Sequence, residues 1–174
     1  MLHPNLETPR LLLRPVTPED AEAVFRWCGD PKVNRFMMYM LYHSVQEVRD
    51  WLETRITDSP DEFCYGFVLK ETGELIGEGG MFYHPEEALW HIGYNLRADQ
   101  WGRGLTTEGM RAIMDHVRSL RPVRVIEACH AVANPASGAV LRKLGLTYVR
   151  DSHYEKSDGS EVFPAKTYRW EEEA

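Results

Sequence analysis

The stretch from Ala88 to Gly109, ALWHIGYNLRADQWGRGLTTEG, places glycines where a ligand could be held. An apolar run, Ala88 to Leu96, reads as a strand, and Met110, Ile113, Met114 and Val117 then recur at helical spacing. Between them lies the loop Trp101-Gly102-Arg103-Gly104-Leu105-Thr106. A helix start leaves its first backbone N–H groups without partners, at the positive end of the helix dipole. Gly102 and Gly104 permit positive φ and close approach to the backbone. The expected chemistry is phosphate binding by the amides of Gly102 to Thr107, with Arg103 either adding a charged contact or solvated. The spacing is neither a Walker loop nor a dinucleotide fingerprint, which points to a phosphate-bearing cofactor of another kind.

The elements that must position this loop are legible on either side. Leu11 to Val16 reads as a first strand between Pro9 and Pro18. Thr17 can cap a helix opened by Pro18 and stopped by Gly29-Asp30-Pro31. Ser44 and Glu47 form a capping box for a second helix, with Val45, Val48, Trp51, Leu52 and Ile56 on one face and an end near Asp58-Ser59-Pro60. Phe63 to Lys70 and Glu74 to Tyr83 flank a Glu71-Thr72-Gly73 hairpin turn. After the glycine loop and its helix come a strand from Val123 to Ala128 and a helix from Asn134-Pro135 to Gly145. Strands from Thr147 to Tyr154 and from Val162 to Trp170 complete the chain. The order β-αα-βββ-α-β-α-ββ predicts an α/β fold: one domain over residues 1–174, with a mixed central sheet of about six or seven strands and about four helices.

Composition narrows the classes. A chain of 174 residues with 43% hydrophobic residues can bury roughly two-thirds of its unfolded surface in one core. The net charge of −7 argues against nucleic acid as the main partner. Cys28, Cys64 and Cys129 are odd in number and lack metal spacing, which reads as reduced, buried thiols with no metal site. The N-terminus has no signal pattern and Leu11-Leu12-Leu13 is too short for a membrane span, so a cytoplasmic protein is expected.

Three segments in this order, LIGEGGMF, HIGYNLRADQWGRGLTTEG and ANPASGAVLRKLGLTYV, resemble the GNAT superfamily of acetyl-CoA-dependent N-acetyltransferases. With LETPRLLLRPVTPEDAE at the start, the chain is similar to the RimJ/RimL-like branch, named after ribosomal-protein N-terminal acetyltransferases. The superfamily loop is usually Gln/Arg-x-x-Gly-x-Gly/Ala; here the first position is Trp101 and the last Thr106. The resemblance implies that acetyl-CoA binds at the loop that opens with Trp101, with its diphosphate on the amides of Gly102, Arg103, Gly104, Leu105, Thr106 and Thr107. Its pantetheine arm would lie beside Tyr94, Asn95 and Leu96 like an added strand, held also by Asn134 and Ser137.

The reaction so implied is direct attack of a primary amine on the thioester in a ternary complex, the acceptor being a protein N-terminus or a small molecule. An alkylammonium ionises at about 10, so the amine must be held or made neutral. A backbone N–H near Tyr94 and Asn95 would stabilise the oxyanion. Many superfamily members carry an acid Tyr seven residues after the Asn of the last motif; here that position is Leu141. Ser137 matches the serine of this branch and could protonate sulfur, although a hydroxyl in a first helical turn is also an ordinary capping group. Asn134 before Pro135 has the same double reading.

Two residues compete as base, and deprotonation through a chain of water with no single base is the third route. Glu78 shares a face with Ile76 and Phe82 by the period-two rule, and a carboxylate among apolar neighbours has a raised pKa that suits a base near neutrality. His91 shares a face with Leu89, Gly93 and Asn95 and stands where relatives often carry Glu; an imidazole ordinarily ionises at about 6.5. The plainer readings are a salt-bridged Glu78 and a hydrogen-bonded core His91. Met and aromatic residues from Phe36 to Tyr42 either wall an acceptor pocket or belong to the core. The competing class is a non-catalytic acyl-CoA-binding or sensor module on the same fold. A homodimer is compatible with the branch, and neither nucleic acid nor membrane is expected as a partner.

Overall fold

The structure, a computed structural model, describes residues 3–55 and 58–173. A two-residue strand β1 (Leu6–Glu7), not anticipated from the sequence, pairs antiparallel with β2 (Leu11–Arg14). Strand β2 stops before Pro15, which has no N–H to give a ladder. Pro18 opens a turn of 3-10 helix that leads into α1 (Ala21–Cys28), and the Asp20 carboxylate accepts the Thr17 amide at 2.9 Å. Gly29-Asp30-Pro31 ends α1 as expected and also starts a single-turn α2 (Pro31–Asn34), capped by Asp30. In α3 (Val45–Glu53) the Ser44 hydroxyl accepts the Glu47 amide, while the Glu47 carboxylate takes the His43 amide, one residue earlier than in a capping box. The helix ends at Glu53, short of the expected Asp58; Ile56 lies outside the described residues.

The remaining elements are β3 (Glu62–Leu69), β4 (Leu75–His84), β5 (Leu89–Leu96), α4 (Leu105–Leu120), β6 (Val125–Ala131), α5 (Pro135–Lys143), β7 (Thr147–Glu155) and β8 (Val162–Glu171). Eight strands form one sheet in the order β1-β2-β3-β4-β5-β6-β8-β7, one or two more than expected because of β1. Every neighbouring pair is antiparallel except β5 and β6.

Two apolar clusters cover the two faces of the sheet. Under α4 and α5 lie Leu11, Leu13, Phe63, Phe67, Met81, Trp90, Met110, Ile113, Ile126 and Leu141. Under α1 and α3 lie Val24, Trp27, Val48, Leu52, Val68 and Leu75. Full burial of each such side chain contributes about 1.5–3 kcal/mol, so these clusters hold the layers together. Among the thiols only Cys28 is buried; Cys64 is half-buried and Cys129 exposed, all three free.

One irregularity corrects a face assignment. Phe67 pairs with Gly77 but Val68 with Leu75, so Ile76 is an extra residue in β4. The bulge turns Ile76 into the cluster under α4, while Glu78 faces the opposite layer, toward Arg55. Glu78 and Ile76 do not share a face.

Candidate active site

The glycine loop is built as its residues dictate. Gly102 has φ +75° and Gly104 φ +76°, the left-handed region that a side chain would strain. Gly104 is the N-cap of α4 and has no side chain to satisfy the helix start. Among the described residues the first amide of α4 with a partner is that of Glu108, which donates to the Gly104 carbonyl at 3.1 Å; the amides of Gly102 to Thr107 have none. Thr106 in the position usually held by Gly or Ala leaves the helix start intact.

Three contacts brace the loop. The Trp101 indole N–H donates to the Leu96 carbonyl at 2.8 Å, tying the loop to the end of β5. The Arg10 guanidinium donates to the Arg103 carbonyl at 2.8 Å and to the Glu108 carboxylate at 2.7 Å. Glu108 also accepts the Thr8 hydroxyl at 2.6 Å and the Arg10 amide at 2.8 Å. Burial alone would raise the Glu108 carboxyl; the bonds from Thr8 and Arg10 outweigh it and hold the group below the ordinary carboxylate range. Arg103 turns its own guanidinium to Gln100 at 2.6 Å and Glu71 at 3.4 Å. Sequence reasoning missed Arg10 and Glu108, since nothing local relates them.

Strand β5 opens beside this loop. It pairs with β6 only at Trp90–Ile126 and His91–Glu127, after which the two parallel strands part. The Arg97 amide donates to the Ile76 carbonyl at 2.8 Å, and the β4–β5 register continues unbroken from there. Alternation along an antiparallel ladder therefore turns the backbone groups of Ile92, Tyr94 and Leu96 away from β4, toward the gap. The same parity corrects the expectation for Asn95: its backbone faces Glu78 in β4, not the gap. The Leu96 carbonyl is already taken by Trp101.

Helix α5 closes the far side of the wedge. Asn134 is its N-cap but makes no side-chain capping bond, so the plainer reading of this residue is not realised. Leu141 is a core residue, 1% exposed. The Ser137 Oγ lies 3.0 Å from the Tyr94 phenolic oxygen, and the phenol also reaches the Ser137 carbonyl at 3.1 Å. Ser137 is thus engaged by β5, not by the backbone of its own turn. The phenol of Tyr94, a residue singled out only for its backbone, is the group that sequence reasoning missed here.

A free run of amides at a helix start, next to a strand whose edge loses its neighbour, suits a ligand with a phosphate head and an amide-bearing arm. Residues 10–147 match the acetyltransferase (GNAT) domain family. The chain belongs to the GNAT acetyltransferases. A curated relative, the uncharacterized N-acetyltransferase p20 of Bacillus licheniformis, is 30% identical over 162 residues, 89% of each chain. The L-2,4-diaminobutyric acid acetyltransferase of Shouchella clausii is 27% identical over 115 residues, covering 64% of this chain and 62% of that one. Among solved structures, the fold is shared with RimL, a ribosomal L7/L12 alpha-N-protein acetyltransferase in complex with coenzyme A, at a TM-score of 0.82 and 19% identity over 97% of this chain and 98% of the other.

On the sheet face opposite Ser137, this GNAT acetyltransferase carries a second polar group of residues. Glu78 is held by Arg55 through two bonds, at 2.6 and 3.1 Å, with the side chains only 13% and 19% exposed. The expectation of a carboxylate among apolar neighbours is therefore corrected: Glu78 is half of an ion pair. Arg55 also stacks 5.0 Å over the Trp51 ring. Directly across from Glu78, the Asn95 side chain accepts the Tyr39 hydroxyl at 2.7 Å. His91 stands apart, roughly 13 Å along β5 from Asn95 and at the closed end of the wedge. It is not a core residue: 38% exposed, its ring faces Glu87 at 3.3 Å and His84 at a centroid distance of 4.4 Å.

The segment from Phe36 to Tyr42 is pinned from the C-terminal hairpin. Lys156 is buried and donates to the Asn34 carbonyl at 2.7 Å and to its Oδ1 at 2.9 Å. The Tyr154 hydroxyl donates to the Phe36 carbonyl and the Ser157 amide to the Met38 carbonyl. Met38 and Met40 are exposed, so they are not core; Tyr39 points inward to Asn95. Among the described residues no group of three His, Cys, Asp or Glu could hold a metal ion, and no helix is long and apolar enough to cross a membrane.

Proposed function

We propose that this GNAT acetyltransferase moves an acetyl group from acetyl-CoA to a primary amine, by direct attack with both bound together. The observation that carries the reading is the run of partnerless amides from Gly102 to Thr107 opening onto the unpaired edge of β5. When bound, acetyl-CoA supplies an activated acetyl thioester. The amides at the start of α4 hold its diphosphate, with the dipole of a four-turn helix behind them. The backbone of Tyr94, with the Asn134 side chain, aligns the pantetheine arm. Ser137 gives a proton to the departing sulfur, the place left without a tyrosine by Leu141.

On the acceptor side the geometry favours Glu78 over His91. Glu78 lies opposite Asn95 at the open end of the wedge, whereas His91 sits where β5 and β6 are still paired. The Glu78 carboxylate draws the amine into place, and the Tyr39–Asn95 contact shapes the wall beside it. The acceptor class is a primary amine on a small molecule or a protein N-terminus, the two kinds named for relatives of this chain.

Isothermal titration with acetyl-CoA, followed by thiol release over a panel of amines and N-terminal peptides, tests the reading. Binding with amine-dependent thiol release is the expected result; absence of binding at millimolar concentration would overturn it. Glu78→Gln is expected to raise the KM for the amine about tenfold, the scale of one charge-assisted bond, with acetyl-CoA affinity unchanged.

A further inference from the structure

An aliphatic hydroxyl is a weaker acid than a phenol, which ionises at about 10. Ser137 can therefore part with its proton only if another is delivered to Oγ in the same event. Among the described residues the group bonded to Ser137 Oγ is the phenol of Tyr94, at 3.0 Å. The two come from different elements, β5 and α5, and meet across the floor of the wedge.

We propose that Tyr94 is a positioning residue for acetyl transfer, holding Ser137 and refilling its hydroxyl with a proton as that hydroxyl donates to sulfur. The inference rests on the acetyl-transfer reading above. A phenol has one hydrogen, and that of Tyr94 has two acceptors within reach, the Ser137 carbonyl at 3.1 Å and Oγ. With the hydrogen on the carbonyl, Ser137 gives its own to the phenol oxygen and the pair is closed. With it on Oγ, the serine hydrogen is free to turn into the wedge. As the carbon–sulfur bond breaks and the carbon–nitrogen bond forms, sulfur takes the Ser137 hydrogen and Oγ takes the phenol hydrogen. The amine sheds its proton to solvent and the Tyr94 oxygen takes one back from solvent in the wedge, so the proton count closes and the pair ends as it began.

Burial sets the character of the group. Removal from water pushes the Tyr94 phenol up to about 12, an effect partly offset by the bond to Ser137. It therefore stays protonated throughout the neutral range and keeps its hydrogen available at every turnover.

Tyr94→Phe removes the oxygen and leaves the ring. It is expected to lower kcat about tenfold or more while leaving the KM for acetyl-CoA within twofold. Ser137→Ala is expected to match it, and the double variant to be no slower than either single one, since both act in one chain of protons. The second readout needs no turnover. In coenzyme-free protein labelled with carbon-13 at the tyrosine Cζ, the Tyr94 signal (identified by its absence in Tyr94→Phe) should move on Ser137→Ala. An unmoved signal, or a Tyr94→Phe enzyme with full kcat beside a slow Ser137→Ala, would overturn the relay and leave acetyl transfer standing. A wild-type protein that binds acetyl-CoA but releases no thiol with any amine would overturn both.

Discussion

The guanidinium of Arg10 and the carboxylate of Glu108 meet at 2.7 Å although they stand 98 residues apart in sequence. Through this contact the turn between β1 and β2 holds the first turn of α4, and through its second bond Arg10 holds the Arg103 carbonyl. That carbonyl is thereby occupied, while the amides of Gly102 to Thr107 have no partner among the described residues. Arg10→Ala is expected to weaken coenzyme A binding about tenfold in a titration, the scale of one charge-assisted hydrogen bond. kcat at saturating acetyl-CoA should change little. Binding as tight as wild type would show that the loop keeps its shape unaided.

Gly104 tests the loop conformation separately from its clasp. Alanine at a φ of +76° costs about 1 kcal/mol or more in backbone strain, and the nearest atom to its Cβ, on Arg10 at 3.6 Å, adds no clash. Gly104→Ala should lower Tm by several degrees and weaken coenzyme A binding together. Gly93→Ala is the control: its φ is ordinary and a Cβ meets only Phe82 at 3.8 Å, so Tm should fall little or not at all.

Lys156 is buried where Asn34 supplies two acceptors. Burial pushes its ammonium down from the usual lysine range, with Glu161 acting in the opposite sense. Lys156→Ala leaves both oxygens of Asn34 without this donor, which costs about 1–3 kcal/mol in a denaturant titration. Because the same contact steadies the segment that carries Tyr39, the KM for the amine should rise more than that for acetyl-CoA. Equal changes in both would mean that the segment takes no part in acceptor binding.

Glu127 gives the fold a pH dependence. It is 7% exposed between Arg150 at 3.2 Å and Arg169 at 2.9 Å. Burial would raise its carboxyl, but the bonds and charges of the two arginines hold it below the ordinary 4.5. A depressed carboxyl stabilises the fold fully above the unfolded value of 4.5, and that contribution is lost as pH falls from there through the folded pKa. Tm followed from neutral pH down through this window should fall less steeply in Glu127→Gln than in wild type. Parallel curves would remove Glu127 from the acid response.

What the sequence determined by itself was local. Glycine at positive φ, caps within a few residues, and periods of two and 3.6 are properties of short spans. They sufficed for the order of the longer strands and helices, without β1 and α2, and for the glycine loop and the start of α5 at Asn134. The family motifs added the coenzyme and the serine. Tertiary structure decided which side chains meet. The bulge at Ile76 set which layer Glu78 faces, and Arg55 then turned a free carboxylate into an ion pair. The parting of β5 from β6 decided that Ile92, Tyr94 and Leu96, not Asn95, offer backbone to the gap. The approach of α5 to β5 brought the Tyr94 phenol to Ser137, 43 residues away. Such contacts depend on strand order and register, which no window of neighbouring residues encodes, because one residue of slip moves every side chain to the other face.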